Sequence, residues 1–138
     1  MAEALILDSE AVNALARPSE RGALFERARA ILTLAHERQA LVRVPSPVLA
    51  ELYRGPRFDV QLDRVLSSRG LVVCDLRRSI AISAGHLLSK AKLPSTNAVD
   101  AFVVATALSF ERAIIATGDV GDIRRLAAPY SQIAVYGL

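Results

Sequence analysis

Ala113-Ile114-Ile115-Ala116-Thr117-Gly118-Asp119-Val120-Gly121-Asp122-Ile123-Arg124-Arg125-Leu126-Ala127 is the stretch that decides the fold class. Residues 113–116 read as a short apolar strand, Thr117-Gly118-Asp119 as a turn, and residues 120–127 as a short helix. The same unit opens the chain. Ala4-Leu5-Ile6-Leu7 is an apolar run that ends at Asp8, and a helix is expected over 9–16. Strand, acidic turn and helix therefore recur at opposite ends of one sequence.

The segments between them keep the alternation. Pro18-Ser19 breaks the first helix, and a longer one is expected over 20–38, with Phe25, Ala28, Leu32 and Ala35 at helical spacing. Residues 40–44 are the next strand, closed by Pro45. Ser46 is placed to cap a helix with Pro47 in its first turn, ending near Gly55. Pro56 opens another helix, to residue 69. A strand over 71–74 and a helix over 77–91 follow. After the Leu93-Pro94 breaker, Ser95 or Thr96 is expected to cap a very apolar helix over 97–110, and 133–136 is the last strand. Strands separated by helices imply a parallel sheet covered on both faces. In such sheets chemistry gathers just beyond the carboxyl ends of the strands.

Acids stand there. Asp8 follows the first strand, Asp119 follows the strand over 113–116, and Asp122 begins the next helical turn. Each alone also reads as an ordinary helix N-terminal or turn acid. Asp100 stands in Asn97-Ala98-Val99-Asp100-Ala101-Phe102-Val103-Val104-Ala105, where a helix apolar all round must be buried. A carboxylate there needs a partner, either backbone amides, an Arg or a metal ion. Glu51 lies three residues before Arg54, and an ion pair between them would account for it. Taken together, these carboxylates lack His or Cys companions, and such a set suits hard ions, Mg²⁺ or Mn²⁺. With Asp8, Glu51, Asp100, Asp119 and Asp122 set aside, the 17 basic residues face nine acidic ones, a net +8. A negative spot in a basic molecule suits a polyanionic substrate.

Composition closes off other classes. Of 138 residues, 52% are hydrophobic and 22% charged, which excludes intrinsic disorder and permits one packed domain over 1–138. One cysteine, Cys74, and two histidines exclude a disulfide scaffold and a Cys/His metal site. The first eighteen residues lack the basic start of a secretory signal, and no apolar run reaches bilayer-spanning length, so a soluble cytoplasmic bacterial protein is expected. The apolar surplus hints at surface covered by a partner, with Phe25 and Leu32 as candidate anchors.

Four segments in order carry a family resemblance: Leu5-Ile6-Leu7-Asp8-Ser9, Pro45-Ser46-Pro47-Val48-Leu49-Ala50-Glu51-Leu52, residues 97–105, and residues 114–123. The chain resembles the PIN-domain metal-dependent ribonucleases, and more narrowly the toxin of bacterial VapBC toxin–antitoxin pairs. The resemblance implies a three-layer α/β/α sandwich around a five-stranded parallel sheet. It places the acidic quartet on Asp8, Glu51, Asp100 and Asp119, with Asp122 as a further acid and Thr117 and Ser9 in support. It also implies Mg²⁺ or Mn²⁺, an RNA substrate, homodimers and a small cognate antitoxin. The departures are Ile123, where many relatives carry an aromatic, and Asp119, where many carry Asn, so that Asp122 could share the metal role. Arg54, Arg57, Arg124 and Arg125 follow two of the motifs and are candidates for the RNA backbone. Alternatives are a PIN nuclease that is not a toxin, a catalytically silent RNA-binding module, and a phosphatase of the haloacid-dehalogenase type. The last needs a second Asp two residues after the first, where this chain has Glu10.

Overall fold

A computed structural model describes residues 3–138. Its five strands are β1 (Glu3–Leu7), β2 (Leu41–Pro45), β3 (Leu71–Cys74), β4 (Arg112–Thr117) and β5 (Ile133–Gly137). All pair in parallel, in the order β3-β2-β1-β4-β5. The central strand, β1, is a continuous apolar run because both its faces are covered. Leu5, Ile6 and Leu7 are at most 1% exposed.

The helices are α1 (Ser9–Ala16), α2 (Pro18–Glu37), α3 (Leu49–Leu52), α4 (Pro56–Leu66), α5 (Arg78–Ala91), α6 (Ala98–Leu108) and α7 (Val120–Ala127). They fall into two packed groups, α1 with α2 and α4, and α5 with α6 and α7. Right-handed crossovers put these groups on opposite faces of the sheet, which is the three-layer α/β/α sandwich expected from the resemblance. The apolar helix α6 is the buried one, with Ala101, Val103, Val104, Ala105 and Ala107 all at most 2% exposed.

The winding reverses between β1 and β4. From β1 the chain moves to β2, and from β4 it moves the other way to β5. Such a switch point opens a crevice at the carboxyl ends of its two strands. Leu7 pairs with Ala116, so Asp8 and Thr117 leave the sheet side by side, and the Asp8 N–H still donates to the Ala116 carbonyl at 3.2 Å.

Several local expectations are corrected. The first helix ends at Ala16 as expected, and Pro18 opens α2 two residues earlier than expected, in the first turn where its missing N–H costs nothing. α2 is kinked at Gly22, whose φ of 23° is a conformation that side chains beyond glycine resist. Ser46 caps nothing; residues Ser46–Val48 form a 3₁₀ turn without a side-chain cap. Neither Ser95 nor Thr96 caps α6. Ser95–Asn97 is another 3₁₀ turn, and Asn97, the residue before α6, points its amide at an acid instead of the helix end. Of the proposed anchors, Phe25 is half-buried and Leu32 packs partly against the core. The large apolar side chains left open among the described residues are Leu34, Val60, Val72, Leu76 and Ile82. No helix among the described residues is long and apolar enough to cross a membrane.

Candidate metal centre

The switch-point crevice collects the acids from three elements. Asp8 caps α1, its Oδ1 accepting the Ala11 N–H at 3.0 Å. Its Oδ2 accepts the Gly118 N–H from the turn after β4 at 3.2 Å. The Thr117 hydroxyl is a third donor to the same carboxylate. Asp8 is 5% exposed, and burial pushes its carboxyl above the usual range, with the neighbouring Glu10 charge adding to the rise. The bonds from Thr117, Ala11 and Gly118 oppose the rise. A carboxylate has about four lone-pair sites, so three donors hold Asp8 in place and leave room for one further partner. Asp8 is thus the helix cap it could have been and a member of the site as well.

Thr117, completely buried, links two acids. Its Oγ1 donates to Asp8 and accepts the Asp119 N–H at 2.9 Å. Asp100, in the first turn of α6, is half-buried and hydrogen-bonded to the Asp119 carboxyl. Its own carboxyl is pushed up to about 7, first by burial, then by that bond and by the charge of Asp119; Asp8 adds, and a bond from Asn97 opposes. Asp122, in the first turn of α7, accepts from Asn97 Nδ2 at 2.9 Å.

Asp100, Asp119 and Asp122 each bring a carboxylate oxygen to within 4.8 Å of the others. Ligand oxygens around Mg²⁺, at about 2.0–2.1 Å from the ion, lie roughly 3–4 Å apart. Small side-chain rotations close that difference, and three hard oxygen donors with no ion pair among the described residues fit such an ion. The charge of Asp8 reaches Asp100, which places it beside the cluster.

Glu51 stands apart from these contacts. It lies in α3 beyond the end of β2, exposed, with no hydrogen bond or ion pair among the described residues. The expected pair with Arg54 does not form, because the Arg54 guanidinium donates to the carbonyls of Ala50 (2.9 Å) and Tyr53 (2.8 Å). The following segment is pinned by Asp59, which accepts from the N–H groups of Arg54 and Gly55, and by the Tyr53 hydroxyl donating to Asp63 at 2.6 Å. Ser9 opens α1, half-buried next to Asp8. Arg57 lies 5.8 Å from the Phe58 ring centre, which also carries Arg17 at 4.3 Å. Arg124 and Arg125 are exposed on α7.

Two contacts at the site were not singled out from the sequence. One is Asn97, treated below. The other is the seat of the β4 turn on α1: a Cβ on Gly118 would meet Glu10 Cγ at 2.5 Å and Glu10 Cβ at 2.7 Å. Glu10 is held in turn by Arg21 at 3.2 Å. The Glu10 Cβ is fixed by its helix and cannot swing away. Gly118→Ala should therefore push the turn from Asp8, costing about 1–3 kcal/mol as overpacking does. Urea unfolding of the variant checks this; a midpoint equal to wild type would mean the turn has slack.

A family model described as PIN domain matches residues 5–129. A chain in the crystal structure of VapBC2 from Rickettsia felis bound to a DNA fragment from their promoter is similar in fold. It is 18% identical, with 98% of each chain covered and a TM-score of 0.70. A chain of a toxin–antitoxin complex from Klebsiella pneumoniae is also 18% identical, covering 97% of this chain and 99% of that one, with a TM-score of 0.66. No curated protein sequence matches the chain significantly.

Proposed function

The chain belongs to the PIN domain family, and from that premise we propose that it is a ribonuclease dependent on Mg²⁺ or Mn²⁺, a single domain over 1–138 that acts as the toxin of a toxin–antitoxin pair. The observation that carries the reading is the cluster of Asp100, Asp119 and Asp122, three carboxylate oxygens within 4.8 Å at the switch point of a PIN fold. In this reading Asp100, Asp119 and Asp122 hold the ion and Asp8 completes its surroundings. The ion, when bound, polarises a phosphoryl oxygen and offsets the charge that builds there. Glu51, without a hydrogen bond or ion pair among the described residues and placed beyond β2 on the same edge of the sheet, orients the attacking water and accepts its proton. Thr117 and Ser9 support the acids. Arg124 and Arg125, two and three residues beyond Asp122, guide the RNA backbone, with Arg54 and Arg57 at the far rim.

The toxin role is supported by the likeness in fold to chains of two toxin–antitoxin structures. A cognate antitoxin and a second copy of the chain are the partners this implies, and the open Val72, Leu76 and Ile82 offer apolar surface for cover. Induction in a bacterial host, with 5′-end mapping of cellular RNA, tests the reading. New ends at discrete sites in wild type and none in Asp119→Asn are expected, together with a small co-purifying protein and a dimeric mass by light scattering. Unchanged RNA ends on induction of wild type would overturn the nuclease reading; a lone monomer that still cuts RNA would overturn the toxin reading.

A further inference from the structure

Asn97 ties together two acids that the chain places 22 residues apart, Asp100 on α6 and Asp122 on α7. Its Nδ2 donates to Asp122 Oδ2 at 2.9 Å, and its side chain also donates to the Asp100 carboxyl. One neutral amide thus spends its donors on two carboxylates of the three-acid cluster. Nothing in the helix geometry requires this: as the residue before α6, Asn97 is placed to cap it, yet it makes no side-chain cap bond. A bond to one carboxylate oxygen orients the other, and partners of this kind around a metal ligand govern how well it binds.

We propose that Asn97 is a positioning residue that sets Asp122 beside Asp100 at the spacing of a shared divalent cation and so makes Asp122 a metal ligand. The inference rests on the reading of the cluster as a metal centre. In it, Asn97 does not touch the ion. It holds α7's acid against α6's acid, and its N–H groups weaken their repulsion while no cation is present. Without it, Asp122 is an acid in the first turn of α7, where the helix N-terminus favours it without orienting it towards Asp100.

Free Mn²⁺ gives an electron paramagnetic resonance signal that bound Mn²⁺ loses, so affinity can be read on folded protein without any RNA. The variants are Asn97→Leu, which keeps the shape and removes the donors, Asp122→Asn, and the double variant. Mn²⁺ affinity should fall about 10–100-fold in Asn97→Leu, the size typical of lost outer partners. The double variant should be no weaker than Asp122→Asn alone, since Asn97 acts through Asp122. Circular dichroism verifies that each variant is folded. Wild-type affinity in Asn97→Leu, or losses that multiply in the double variant, would overturn the positioning role while the metal centre stands. Wild-type affinity in Asp122→Asn would overturn it even if Asn97→Leu did not fold. Absence of Mn²⁺ binding by wild type would overturn the metal centre itself, and the positioning role with it.

Discussion

Asp100→Asn should abolish RNA cleavage and yet leave the metal-free protein more stable than wild type at neutral pH. A bound divalent ion supplies several kcal/mol of transition-state stabilisation, and at about 1.36 kcal/mol per factor of ten the loss of its ligand lowers the rate on the order of a thousandfold. Stability moves the other way. Burial and the Asp119 carboxylate raise the Asp100 carboxyl from its ordinary value of 3.8 to about 7 in the folded protein. Between those values the folded state holds a proton that the unfolded state has released, so stability is highest below about pH 4 and falls as pH rises through about 7. Asn carries no proton to lose, and its amide can donate to Asp119 as the protonated acid does. Because Asp100 is half-exposed, solvent screening reduces the nominal gain to about 1–2 kcal/mol at pH 8. Thermal melts in EDTA at pH 5 and pH 8 check the sign: wild type and variant should converge at the lower pH and separate at the higher. Added Mn²⁺ should reverse the ranking by stabilising wild type alone. A variant that melts well below wild type at pH 8 in EDTA would make Asp100 a structural acid.

Thr117→Val should damage both fold and catalysis. The swap preserves shape at a completely buried position but removes a hydroxyl that serves Asp8 and the Asp119 N–H together. A hydrogen bond to a charged group is worth about 1.5–3 kcal/mol and one to a neutral group about 0.5–1.5. The expected loss is about 2–4 kcal/mol, or on the order of 10 °C in melting temperature. The hydroxyl's bond lowers the Asp8 carboxyl, so it favours the ionised form. The cost should therefore be larger at a pH where Asp8 is ionised than at one where it is protonated. Thr117→Ser, which keeps the donor, should recover most of the cleavage rate even though it leaves a methyl-sized void. Equal activity in the Val and Ser variants would show that the hydroxyl does not organise the acids.

The parts of this site that were legible in the sequence are those governed by local rules. Asp8 and Asp119 follow apolar runs too short for anything but strands, and the strand-end rule then places them on one edge. Asp100 betrays itself as a charge in a helix with no polar face. The parts that were not legible depend on which helices meet. Asn97 and Asp122 lie 25 residues apart, and only the packing of α6 on α7 joins them. Glu10 and Gly118 lie farther apart still and meet because β1 and β4 are neighbours. The cap expectations at Ser46, Ser95 and Thr96 failed because each lies within a 3₁₀ turn, which shifts the start of the helix past it. Glu51 looked paired because Arg54 is one turn away. The backbone carbonyls of Ala50 and Tyr53 engage that guanidinium instead, leaving Glu51 exposed and without a partner among the described residues, which sequence spacing alone could not distinguish from a surface ion pair.

The central claim is that the carboxylates at the β1–β4 switch point cut RNA through a divalent cation. Its most direct test is the cleavage of a single-stranded RNA by purified, antitoxin-free protein stripped with chelator and then titrated with Mn²⁺. The account predicts no cleavage in EDTA, activity that rises with Mn²⁺ and saturates, and none at any Mn²⁺ concentration in Asp100→Asn. Full activity of the wild-type protein in EDTA would contradict it.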